Sequence, residues 1–121
     1  MIIAGNCLYY DENDTDNVIS TAGECQNNGF DFFRCKIYGG GPSVQKYAPG
    51  IADGGISVLA DIDKNILPTL TEIRTIEQFD KVIPHLSGVW VGARSAQNYD
   101  LVKYCCENIG DKNFYSGLYT L

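Results

Sequence analysis

Arg34 and Lys36 stand two residues apart in Phe32-Phe33-Arg34-Cys35-Lys36-Ile37-Tyr38, a run dense in aromatic and apolar side chains. In an extended chain, residues two apart project from one face, so Phe32, Arg34, Lys36 and Tyr38 share a face, while Phe33, Cys35 and Ile37 take the other. Two cations on one face suit an anion such as a phosphate or carboxylate. A solvated edge, or ion pairs with carboxylates, would use the same pattern. A third cation, Arg94, follows an apolar run in Gly92-Ala93-Arg94-Ser95, where the glycine lets a ligand approach the backbone and the next helix offers its N-terminal amides. Glu72, at the end of Leu70-Thr71-Glu72, can pair with these cations, orient a water, or act only as a structural ion-pair partner. Cys7, just past the first apolar run, can offer a thiolate to a divalent metal. Such a centre needs about three further ligands, and the only histidine, His85 between Pro84 and Leu86, reads as a surface or cap residue.

Charge narrows the partners. The 15 acidic and 9 basic residues give a net charge of −6, which repels nucleic acid and anionic membranes unless the few cations are gathered in one place. Neither is expected as a partner, whereas a small-anion pocket needs only two or three placed cations. No stretch approaches the ~18 apolar residues of a membrane span, and the opening Met-Ile-Ile-Ala-Gly lacks the basic flank of a signal peptide. The five cysteines are odd in number and form no C-x-x-C pair, so a disulfide framework is not expected and a reducing cytoplasm is. Cys25, Cys105 and Cys106 fall in helical segments and read as small buried hydrophobes.

The elements that must position these groups alternate along the chain. Strands are expected at 1–5, 30–38, 66–73, around Val89-Trp90-Val91, and at 114–121. Helices are expected at 15–28, with Val18, Ile19, Ala22 and Cys25 on one side; at 56–64; at 75–83, with Ile76, Phe79 and Ile83 on one side and Thr75 as cap; and at 96–109, with a stripe of Leu101, Val102 and Cys105. Gly29 and Gly110 stand where helices should stop. Gly39-Gly40-Gly41-Pro42 must be loop, running to about Gly50. The pattern βαβαβαβαβ leaves two architectures, an open doubly wound sheet or part of a (βα)8-barrel. The gathering of polar and glycine-rich residues after each strand favours the barrel, as a single 121-residue domain with parallel strands. In either architecture the site lies at the strand C-terminal ends.

Several segments resemble 3-deoxy-7-phosphoheptulonate (DAHP) synthases. Ile2-Ile3-Ala4-Gly5-Asn6-Cys7 is similar to their Ile-Ala-Gly-Pro-Cys opening, and Phe33-Arg34-Cys35-Lys36 falls where they carry a second-strand arginine. Leu67-Pro68-Thr69-Leu70-Thr71-Glu72 resembles their Leu-Pro-Val-Val-Thr-Glu. Val91-Gly92-Ala93-Arg94-Ser95-Ala96-Gln97-Asn98-Tyr99 resembles their Ile-Gly-Ala-Arg-Asn-Met-Gln-Asn-Phe. The resemblance runs in order along nearly the whole chain.

It implies a partial (βα)8-barrel, about (βα)4β, and an aldol-type condensation of phosphoenolpyruvate with an aldose phosphate such as erythrose 4-phosphate. Related sialic-acid and 3-deoxyoctulosonate-phosphate synthases widen the choice of acceptor. Arg34, Lys36, Glu72 and Arg94 would bind substrate, and Cys7 would be one ligand of a divalent manganese, iron or zinc ion. The sequence also departs from the family. Gly39-Gly40-Gly41 replaces a Lys-Pro-Arg motif, for which Lys36 or Lys46 would have to substitute, and Ser116-Gly117-Leu118 stands where a fifth-strand lysine belongs. The family's remaining metal ligands come from βα units beyond these. The readings left are a chain inactive alone, associating with itself or with a complementing C-terminal half-barrel; a non-catalytic binding module for phosphoenolpyruvate or a sugar phosphate; or an inactive pseudoenzyme fragment with no ligand.

Overall fold

Ile3–Asn6 (β1) and Phe32–Cys35 (β2) run parallel side by side, Ile3 opposite Phe32 and Asn6 opposite Cys35. Three further strands, Thr69–Glu72 (β3), Gly88–Val91 (β4) and Asn113–Ser116 (β5), extend the sheet, every neighbour parallel. The computed structural model describes residues 1–6, 8–39, 50–93 and 95–116. Most of the glycine-rich loop and the end of the last expected strand therefore lie outside the described residues.

The strand order is β1-β2-β3-β4-β5, with no reversal. Right-handed crossovers in one constant direction put every helix on the same face of the sheet. A doubly wound sheet reverses direction and covers both faces. The sequential order therefore decides between the two architectures: the sheet is a barrel wall. Its curvature brings Met1, just ahead of β1, to Tyr115 of β5, whose hydroxyl lies 3.3 Å from the Met1 sulfur.

The helices are Thr15–Asn27 (α1), Ile56–Asn65 (α2), Ile76–Val82 (α3) and Tyr99–Asn108 (α4). Gly29 ends the first turnaround at φ +76°, a left-handed conformation that a side chain disfavours. Thr75 caps α3 by accepting from the Gln78 amide, and Asn98 caps α4 by accepting from the Leu101 amide. That second cap sets the start of α4 at Tyr99, later than the hydrophobic pattern suggested.

One sheet face carries Phe33, Cys35, Ile37, Ile73, Val89 and Val91, all fully buried. Against it pack Val18, Ala22 and Cys25 from α1, Leu59 and Ile62 from α2, Phe79 and Val82 from α3, and Leu101 and Cys105 from α4. Each large side chain removed from water there contributes about 1.5–3 kcal/mol. Two buried threonines interrupt the apolar layer, and both are satisfied: Thr69 Oγ1 donates to the Leu67 carbonyl and Thr71 Oγ1 to that of Cys35.

Four apolar assignments shift. Ile19 and Ile76 are exposed, and Val82 rather than Ile76 joins Phe79 in the core. Cys106 is exposed, unlike Cys25 and Cys105, because it is one residue round the helix from buried Cys105. Tyr38 does not continue the Arg34–Lys36 face. The ladder of β2 ends at Cys35, and Ile37 and Tyr38 are buried in succession. There the backbone pairs with other segments: the Lys36 carbonyl accepts from the Tyr9 amide and the Ile37 carbonyl from that of Ala52.

Candidate anion-binding site

Among the described residues no helix packs against the opposite face of the sheet. Registered partners in a parallel sheet share a face, so Arg34, Leu70 and Gly88 line up in one row, and Glu72, Trp90 and Tyr115 in the next. Lys36, one residue past β2, reaches this second row. Its Nζ stands 3.9 Å from Glu72 Oε1, and the two side chains are 14% and 16% exposed. The Trp90 indole N–H donates to the same Oε1 at 3.2 Å. Arg34 is exposed, and its guanidinium carbon lies 4.3 Å from the centre of the Trp90 ring, a cation–π contact. Gly92 closes the group from above, since a side chain there would begin 2.9 Å from Glu72 Oε2.

Four side chains from three neighbouring strands thus meet at the C-terminal ends of β2, β3 and β4. Among the described residues Arg34 makes no ion pair. Among the described residues the arrangement offers one guanidinium with no hydrogen bond or ion pair on its edge, and one ammonium balanced by a carboxylate. It can bind an anion, and Glu72 can restrain where that anion sits.

Of the residues singled out from sequence, Arg34, Lys36 and Glu72 come together here, while Cys7 and Arg94, like Lys46, lie outside the described residues. His85 is exposed, in keeping with its reading. Trp90 was missed because Val89-Trp90-Val91 reads as an apolar strand core. Strand parity was the available signal: Val89 and Val91 face the helices, so the residue between them faces the site.

A second polar cluster borders a cleft between α3 and the segment preceding α2. Tyr38 donates its hydroxyl to Asp53 Oδ1 at 2.6 Å, and Lys81 Nζ contacts Asp53 Oδ2 at 2.8 Å and Glu77 at 3.2 Å. The Lys81 ammonium, then the Tyr38 hydroxyl, hold the Asp53 carboxyl below the usual carboxylate range. Burial, then Asp53, push the Tyr38 phenol well above its ordinary value. These groups satisfy one another, and the cluster acts as a brace.

No family model matches the chain, and no curated protein matches it. Solved structures do. The crystal structure of phospho-2-dehydro-3-deoxyheptonate aldolase (DAHP synthase) from Thermotoga maritima superposes with a TM-score of 0.69 over 84% of this chain, at 27% identity. A truncated form of 3-deoxy-D-arabino-heptulosonate 7-phosphate synthase from the same organism gives 0.71 over 96%, at 23% identity.

The fold is that of DAHP synthase structures. The chain spans 28% and 38% of the lengths of these two proteins. The segments that resemble DAHP synthases in sequence fall on β1, β2, β3 and the β4–α4 connection, in the same order.

A divalent metal can be tested against the side chains present. Among the described residues no three of His, Cys, Asp and Glu converge on one point. Glu72, the carboxylate of the open face, is already engaged by Lys36 and Trp90. The described residues do not fit a metal centre, and no chemical step is routed through one. Among them, too, no helix is long and apolar enough to cross a membrane.

Proposed function

We propose that the chain forms the phosphoenolpyruvate-binding segment of a DAHP-synthase-type barrel, with Arg34 and Arg94 as the anion-gripping residues and Lys36 and Glu72 beside them. The observation that carries this reading is the meeting of Arg34, Lys36, Glu72 and Trp90 on the uncovered face of a sequentially ordered parallel sheet. In such a barrel the strand C-terminal ends carry the chemistry. The reaction would join C3 of the enol phosphate to the aldehyde carbon of an aldose phosphate such as erythrose 4-phosphate, consuming one water and releasing inorganic phosphate. Arg34 would hold the anion, and Cys7 would be one ligand of the manganese, iron or zinc ion that such a reaction uses. The rest of the barrel would come from a second copy or a complementing half-barrel. The buried Cys25 and Cys105 thiols suit a reducing cytoplasm.

A second reading, a phosphoenolpyruvate or sugar-phosphate binding module without catalysis, is favoured by the lack of converging metal ligands among the described residues. Turnover tests both. Incubating the chain with phosphoenolpyruvate, erythrose 4-phosphate and Mn²⁺ while following phosphate release should show no turnover by the chain alone if it is only a segment or module. Release that depends on Cys7 would overturn the module reading, and release by a monomeric chain would overturn the segment reading as well.

A further inference from the structure

Trp90 touches two charged groups of opposite sign through two different parts of its ring system. The indole face takes the Arg34 guanidinium at 4.3 Å, and the indole N–H binds Glu72 Oε1 at 3.2 Å. An arginine and a glutamate on adjacent strands can form a bidentate pair, which would cancel the charge an anion needs. No such pair exists here among the described residues; Glu72 instead faces Lys36. A guanidinium lying against an aromatic face keeps its N–H donors, which point outward in the guanidinium plane, available to a ligand.

We propose that Trp90 is a positioning residue that keeps Glu72 with Lys36 and holds Arg34 apart from it, leaving Arg34 ready for an anion. The ligand half of this inference rests on the phosphoenolpyruvate-binding reading above. The positioning half stands on the ligand-free geometry.

The test uses the full chain and three variants: Trp90→Leu, which loses both contacts; Trp90→Phe, which keeps a ring face but no N–H; and Trp90→Leu combined with Glu72→Gln. Without ligand, the Arg34 Nε–H and side-chain methylene resonances should be shifted upfield by the ring current in the wild type and in Trp90→Phe, and should return to ordinary values in Trp90→Leu. Unshifted resonances in the folded wild type would overturn the positioning role whatever the ligand does.

With phosphoenolpyruvate and inorganic phosphate as probes, Trp90→Leu should bind about fivefold more weakly or worse, the scale of a cation–π contact plus a freed competing carboxylate. Adding Glu72→Gln should restore affinity at least to that of the wild type. Wild-type affinity in Trp90→Leu, or no rescue by Glu72→Gln, would contradict the proposal. If Trp90→Leu does not fold, Trp90→Phe should still bind about two- to threefold more weakly, and an unchanged affinity there would overturn the part played by the N–H. A wild type that binds neither probe would overturn the functional reading, with the resonance shifts still deciding the role of Trp90.

Discussion

Lys36 and Glu72, contributed by neighbouring strands, face each other at 3.9 Å with about six-sevenths of each side chain shielded from water. Pairing so far from solvent is screened less than on an open surface. The carboxylate therefore governs how much of the lysine charge an incoming anion feels.

Glu72→Gln should raise affinity for inorganic phosphate by about tenfold, since an unbalanced ammonium in a partly shielded site gains on the order of 1–2 kcal/mol with an anion. Thermal stability should fall by about 1 kcal/mol from the lost pair. Calorimetric titration and a melting curve check the two effects separately. Unchanged phosphate affinity would detach Glu72 from the ligand site.

Asp63, near the end of α2, works at the opposite end of the sheet. Its Oδ2 accepts from the Thr69 amide at 2.9 Å and the Ser87 amide at 2.7 Å, tying the beginnings of β3 and β4 together. Ser87 keeps a bond to the Thr69 carbonyl, so Asp63→Ala strands chiefly the Thr69 N–H. Denaturant unfolding should show a loss of about 1–3 kcal/mol, with anion affinity unaltered because the site lies at the other end of the strands. A loss below about 0.5 kcal/mol would show that water replaces the carboxylate.

Cys105 and Cys106 are adjacent yet differ in surroundings. Burial first, then the neighbouring Cys106 and Asp80, raise the Cys105 thiol from 9.0 to about 11, whereas Cys106 is exposed. A thiol raised on folding stabilises the folded chain fully below the unfolded value. That contribution is lost as pH climbs through the folded one, so stability should decline between about pH 9 and about 11. A thiol reagent at neutral pH should label Cys106 promptly and Cys105 only as the chain opens. Equal labelling rates would contradict the burial of Cys105.

The periodicities made the alternation of strands and helices legible, with the Thr75 cap and the Gly29 stop, because these depend on residues close in sequence. The even spacing of Arg34 and Lys36 likewise placed two cations on one face. The rest depended on long-range geometry. Alternation was extrapolated through Tyr38, but the strand ladder ends at Cys35 and the chain turns to pair with Tyr9 and Ala52. Hydrophobicity hid Trp90, since an indole between two valines reads as core whichever way it points. Asp63 gave no local sign of bridging two strands, because Ser87 lies 24 residues away in sequence.

Titration of phosphoenolpyruvate into the purified chain by calorimetry, with and without Mn²⁺, beside Arg34→Ala and Arg94→Ala, tests the central claim most directly. The account predicts binding by the wild type and a loss of about tenfold or more in each variant, the scale of one charge-assisted contact to a phosphate or carboxylate. Absence of binding in the wild type, or equal binding after removal of Arg34, would contradict it and leave the likeness to DAHP synthases one of fold alone.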